Sequence, residues 1–263
     1  MKGKGAHIIV LGNEKGGTGK STLTMHIVAG LLKRGKKIGV IDLDTRQKSI
    51  TRYLQNRLNF IEAGGKNVEM PKFKVLKQSI EDTISSRNKD DQSSLKKVLD
   101  KYKKLDFIVI DCPGNDTYLS RLSHAMADTL ITPLNDSFVD LDLLGEVEAE
   151  TFAVKKLSCY TEMVWESRKF RSASGKPPMD WVVVRTRLAS LDSRNNKRVH
   201  DALDALQKRI MFRYVPGLYE RVIYRELFPN GLTVLDMKKV TNLSHVSARQ
   251  EVRSLIDSLN LPE

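Results

Sequence analysis

The feature that most restricts this chain is the run Lys15-Gly16-Gly17-Thr18-Gly19-Lys20-Ser21-Thr22, set between an apolar stretch, Ile8 to Leu11, and an apolar-periodic segment, Leu23 to Leu32. A short Ile, Val and Leu run that breaks into glycines and then into a helical repeat predicts strand, tight loop and helix. The glycines let consecutive backbone N–H groups turn inward with no side chain in the way. The helix behind adds unpaired N–H groups and the positive end of its dipole. A loop of this kind holds polyphosphate. Gly16, Gly17, Thr18, Gly19 and Thr22 belong to the cradle, Lys20 is expected along the outer phosphates, and the Ser21 hydroxyl is expected on Mg²⁺.

The common form of such a loop carries a glycine five residues before Gly19, and Glu14 stands there instead. Next to it is a second lysine, Lys15. From the mouth of the loop it points away from the pocket that Lys20 occupies and toward the phosphates of a facing subunit. This variant resembles the deviant Walker A signature of the ParA/MinD family of dimerising ATPases. The resemblance implies an α/β fold, with a doubly wound, mostly parallel sheet flanked by helices. It also implies ATP and Mg²⁺ as ligands and a homodimer with ATP, in which Lys15 and Gly16 meet the partner.

Two further runs supply carboxylates. Ile38-Gly39-Val40-Ile41-Asp42-Leu43-Asp44 reads as a second buried strand, and parallel sheets gather ligands at the carboxyl ends of their strands. Alternation along the strand predicts that Asp42 and Asp44 face one side together. By resemblance, Asp42 supports the Mg²⁺ shell and Asp44, with Lys15 and Lys20 as the other catalytic groups, positions the attacking water. Phe107-Ile108-Val109-Ile110-Asp111-Cys112-Pro113-Gly114 matches a Walker B strand, with Asp111 reaching Mg²⁺ through water and Gly114 as a switch hinge.

Length, composition and charge frame the partners. The 263 residues are 40% apolar and 29% charged, which fits one globular unit, here read as a single P-loop ATPase domain over 1–263. No apolar run approaches the roughly 18 to 20 residues a membrane span needs, so a cytoplasmic protein without membrane insertion is expected. Cys112 and Cys159 form no metal-spaced pair, and the five histidines share no ligand spacing, so neither set predicts a metal centre. The formal net charge of +12 suggests a polyanionic partner.

Along the rest of the chain, Arg46 to Leu58 reads as helix, Phe60 to Glu69 as loop, and Lys72 to Lys77 as a short strand. The lysine-rich middle reads as a surface elaboration near 60–104, and Tyr160 to Pro178 as a basic insertion near 160–178. Leu130 to Pro133 predicts a strand, and Asn135 onward a helix running toward Leu157. Met179 to Val184 is the next strand; Arg185 and Thr186 follow its end as nucleotide contacts, Thr186 standing where many relatives place an adenine-reading asparagine. Ser193 to Arg209 reads as a helix with Ser193 as its cap. From Arg185 to Arg213 there are eight basic residues against three acids. Arg194, Lys197 and Arg198 share one face of that helix and, with Arg213, are the candidate contacts to a DNA phosphate backbone. The last helix places Ala248, Val252, Leu255, Ile256 and Leu259 on one stripe, expected in the core.

Several later stretches, among them Val164 to Lys169, Met179 to Leu188 and Arg221 to Asp236, bring the resemblance closer to the division-site-positioning ATPases of that family. The closer resemblance implies a slow, dimer-activated, ATP-driven switch that inhibits FtsZ assembly. Its partners would be a ParB-like centromere-binding protein, FtsZ and nonspecific DNA, and its place would be nucleoid-associated. A ParA-type chromosome or plasmid partition ATPase shares the loop and is the alternative. An iron-sulfur reductase of related type needs a cluster-bridging cysteine pair, which Cys112, beside the Walker aspartate, and Cys159, in a helix-like run, do not supply.

Overall fold

Seven strands form one sheet in the computed structural model, in which residues 5–148, 150–189, 194–238 and 242–263 are described, the side chains of 194–196 excepted. In chain order the elements begin β1 (His7–Leu11), α1 (Lys20–Lys33), β2 (Ile38–Asp42), α2 (Ser49–Glu62), β3 (Lys72–Val75), α3 (Ile84–Tyr102) and β4 (Phe107–Asp111). They continue with α4 (Tyr118–Met126), β5 (Thr129–Asn135), a 3₁₀ turn (Phe138–Leu143), β6 (Gly145–Val147), β7 (Val154–Leu157), α5 (Cys159–Ala173) and β8 (Asp180–Thr186). The last are α6 (Arg194–Ile210), β9 (Arg213–Val215), α7 (Ile223–Glu226), a second 3₁₀ turn (Phe228–Asn230) and α8 (Leu243–Ser258).

The strand order is β3-β2-β4-β1-β5-β8-β9, and every pairing in this sheet is parallel. Parallel strands need crossovers, and the crossover helices cover both faces, which is why β1, β2 and β4 read as unbroken apolar runs. Alternation then splits the core. Ile9 and Leu11 of β1 join α1, α2, α7 and α8 on one face, while Val10 joins α3, α4, α5 and α6 on the other. The predicted stripe of α8 is in place: Ala248, Val252, Leu255, Ile256 and Leu259 are all buried. Among the described residues no helix is long and apolar enough to cross a membrane.

Four expectations require correction. The helix expected from Asn135 toward Leu157 is a 3₁₀ turn followed by an antiparallel two-stranded sheet, β6 with β7. Leu141, Leu144 and Val147 recur every three residues, which imitates a helical stripe, yet each is buried through the turn and hairpin. Helix α2 runs on to Glu62, past the loop expected from Phe60. The middle of the chain is more than an elaboration, because α3 carries the chain from β3 to β4 and buries Leu95, Val98 and Tyr102. Likewise α5 is a layer helix rather than an insertion: Tyr160, Met163 and Val164 pack into the core, leaving Trp165 half-buried and Phe170 exposed. The cap expected at Ser193 lies outside the described residues.

Candidate nucleotide site

Strand β1 delivers the chain to the loop at the carboxyl edge of the sheet, between β4 and β5. Gly17 and Gly19 take φ of 74° and 81°, a left-handed backbone that side chains resist, and this curls the loop ahead of α1. No side chain caps α1, so its first N–H groups stay directed at whatever the loop holds. Asn13 fastens the loop from behind, accepting from the Lys15 N–H and donating to the Pro133 carbonyl. Gly114, just beyond β4, packs on the loop so closely that a Cβ there would lie 3.2 Å from the Gly16 nitrogen.

The cleft so formed has a volume of about 250 Å³ and is lined by Gly16 to Thr22, Asp44, Gln47, Ser49, Tyr53, Gly114, Arg187 and Phe228. Lys20 is buried, and its Nζ donates to the Lys15 carbonyl at 2.8 Å, closing the loop into a ring. Burial pulls its pKa down, while Asp111 and Asp44 oppose that shift. Lys15 does not line the cleft. Its Nζ reaches the other way, to the Val139 carbonyl at 3.1 Å and the Asp140 carboxylate at 3.2 Å, both in the first 3₁₀ turn.

Asp111 ends β4 fully buried, accepting from the Ser21 hydroxyl at 2.7 Å and the Thr24 hydroxyl at 3.0 Å. Burial pushes its carboxyl up to about 7; the Ser21 hydroxyl works against this, and the Asp42 carboxylate adds to it. A dication nearby favours the ionised form. Mg²⁺ fits these residues, because it prefers hard oxygen donors, keeps several waters and shares substrate phosphates instead of filling an all-protein cage. Among the described residues no cluster of three or more His, Cys, Asp or Glu side chains offers such a cage. The buried Thr18 hydroxyl in the loop has no hydrogen-bond partner, as expected for a group facing a ligand oxygen.

Asp42 and Asp44 part company. Asp42 is buried, and both its oxygens are occupied: one accepts the Asp44 N–H at 2.9 Å, the other the Thr51 N–H at 3.2 Å and the Thr51 hydroxyl. It fastens the first turn of α2 to the end of β2 and does not line the cleft. Asp44 lines the cleft, steadied by the Gln47 N–H at 2.9 Å.

Arg185 and Thr186 close β8 instead of following it. Arg185 is paired with Asp136, and the buried Thr186 hydroxyl donates to the Thr18 carbonyl at 3.0 Å. Thr186 therefore ties the phosphate loop to the sheet through its one hydroxyl proton, which leaves its oxygen only an acceptor's role toward a ligand. A second cavity of about 120 Å³ adjoins the first, between Gly19, Thr22 and Leu23 on one side and Thr186, Arg187, Leu218 to Arg221, Tyr224 and Arg225 on the other. It is placed to take the far end of a ligand whose phosphates lie in the first cleft. The residues from Leu218 to Arg225 escaped sequence reading because they have no periodicity; the nearest signal was Arg221 and Arg225 in an otherwise irregular run.

Of the basic stripe, Lys197 and Arg198 are exposed near the start of α6, with Arg198 over the Phe138 ring at 5.5 Å; the Arg194 side chain lies outside the description. Arg213 does not join them. It begins β9 past the far end of α6, grips Asp180 at 2.7 Å, and donates to the Ser258 and Leu259 carbonyls that end α8. Its donors are used for structure. Cys112 is buried, its thiol pushed up to about 12 by burial, and serves packing as expected.

Comparison with known proteins agrees with this geometry. The septum site-determining protein MinD of Helicobacter pylori is 27% identical over 172 residues, covering 57% of this chain and 62% of that protein. MinD of Synechocystis is 30% identical over 161 residues, covering 54% of this chain and 60% of that protein. The matches thus span less than two thirds of those relatives' length. The fold is shared with apo McdA of Cyanothece, at a TM-score of 0.61 and 18% identity over 97% of this chain and 99% of that one. It is shared equally with MinD complexed with Mg-ADP from Pyrococcus horikoshii, at a TM-score of 0.61 and 17% identity over 97% and 96%. A family model described as ATPase MipZ matches residues 7–263, and the chain belongs to that family.

Proposed function

We propose that the chain is a slow, Mg²⁺-dependent ATPase that dimerises around ATP and uses hydrolysis as a timer, in a system that places the division site. The observation that carries this reading is the divergence of two lysines on one loop: Lys20 buried over the cleft and Lys15 turned out of it. A cation at the mouth that does not serve its own cleft is available to the cleft of a facing copy once it leaves Asp140. Gly16 beside it gives that copy room for close approach. Mg²⁺, when bound, neutralises charge on the transferring phosphoryl group. Ser21 and Asp111 are the residues to hold it, Lys20 takes the outer phosphates, and Asp44 orients the attacking water. Because part of the charge comes from the partner, turnover requires the dimer, and loss of the terminal phosphate loosens it.

The proposed partners are those the resemblance implies. FtsZ is the target whose assembly the ATP-bound form opposes, a ParB-like centromere-binding protein recruits the monomer, and nonspecific DNA retains the dimer through the Arg194, Lys197 and Arg198 stripe. Two linked basic faces hold a polyanion with far higher avidity than one. A ParA-type partition ATPase is the second reading; a response of FtsZ polymerisation to the ATP-bound protein separates the two. The test of the dimer is Lys15→Ala followed by light scattering with ATP. The variant is expected to bind ATP and stay monomeric, and a dimer in that variant would remove the lysine from the partner's cleft.

A further inference from the structure

Arg187 stands at the border between the two cavities and lines both, together with Gly19 and Thr22 of the phosphate loop and α1. It is exposed, and among the described residues no carboxylate or carbonyl holds its guanidinium. Its backbone takes φ of 53°, in the left-handed region that arginine rarely visits. Bonds on both sides impose that conformation. Ahead of it the Thr186 hydroxyl is anchored to the Thr18 carbonyl. Behind it the Leu188 N–H donates to the Leu218 carbonyl at 3.1 Å and the Glu220 N–H to the Leu188 carbonyl at 3.0 Å. Strain that the surroundings over-determine, next to a ligand cavity, is where a fixed functional side chain is expected.

We propose that Arg187 is a nucleotide-binding residue whose guanidinium takes the phosphate adjoining the sugar, so that the site selects nucleotides over nucleosides. The inference rests on the nucleotide reading above and assigns a role to a residue that reading leaves idle. Its position fits. The phosphate cleft lies on one side of it and the smaller second cavity on the other, so a nucleotide spanning both passes Arg187 where base and sugar give way to phosphate. The planar fork of guanidinium donors matches phosphate oxygens. That phosphate is common to diphosphate and triphosphate nucleotides, so the contact strengthens both alike and does not depend on hydrolysis.

The experiment is calorimetric titration of Mg-ADP and of adenosine into the wild type, Arg187→Asn and Arg187→Lys, each at low and high salt. Asparagine accepts a left-handed backbone, so the first variant removes the charge without adding strain. Arg187→Asn is expected to bind ADP about tenfold more weakly, with a flatter salt dependence, while adenosine binding is unchanged. Arg187→Lys should fall between. Unchanged ADP affinity and salt dependence, or an equal loss for adenosine, would overturn the assignment, the latter by showing that Arg187 only shapes the base pocket. Lys20→Ala is the control: if it binds ADP as the wild type does, or if the wild type binds none, the nucleotide reading itself fails and Arg187 with it.

Discussion

Two positions separate Asp42 from Asp44, and burial separates their chemistry. Asp42 spends its oxygens on Asp44 and Thr51. Asp44 keeps one side open to the cleft. Asp44→Ala is therefore expected to bind ATP normally and to lose turnover by on the order of 10²-fold or more, read as phosphate release beside fluorescent-nucleotide binding. Unchanged turnover would remove Asp44 from the water-positioning role. His124 gives a second prediction. It is fully buried behind the loop, its Nδ1–H donating to the Ser120 carbonyl at 2.7 Å, and burial holds its pKa down at about 4 against an ordinary 6.5. Between those values the unfolded chain binds the proton and the folded chain does not, so its contribution to stability is whole above pH 6.5 and falls as pH drops toward 4. The loss integrates to about 3 kcal/mol. Urea melts at pH 7.5 and 5 should show a steeper fall for the wild type than for His124→Asn; parallel profiles would mean the imidazole is protonated in the fold.

At the scale of elements, the phosphate loop and the three strands beside it were legible because their signals are local: glycines between an apolar run and a helical repeat, and aspartates at the ends of β2 and β4. The hairpin was not, since apolar residues at 141, 144 and 147 satisfy both a helix and a turn followed by a strand. Nor was the engagement of Thr186 and Arg213, which depends on partners far off in sequence, such as the Thr18 carbonyl for Thr186 and Asp180 for Arg213. The clearest long-range element contact joins α2 to the segment before α8. There Arg57 and Asp236, both with wholly buried side chains, make paired bonds at 2.8 and 2.9 Å, and Arg57 also donates to the Glu69 and Gly231 carbonyls. Removing one member strands a buried charge, so Arg57→Ala should cost about 3–5 kcal/mol in a urea melt. A cost under about 1 kcal/mol would show that water or a shifted side chain replaces it.

Across the whole molecule, the all-parallel sheet gathers Lys20, Ser21, Asp44, Asp111 and Arg187 at one edge, where the strands' carboxyl ends meet the start of α1. Lys197 and Arg198 lie near the start of α6, while Arg213 is tied down beyond the other end of that helix. Reversing Lys197 and Arg198 to glutamate should weaken binding to random-sequence DNA and reduce the slope of log affinity against log salt by about one per lost phosphate contact. An unchanged isotherm would move the DNA face elsewhere. The central claim is that one copy completes the catalytic site of another, and ATP turnover per subunit measured across a wide range of protein concentration tests it most directly. The account predicts turnover per subunit that is near zero when dilute and climbs to a plateau as copies pair; a rate per subunit that stays constant down to the lowest concentration would contradict it.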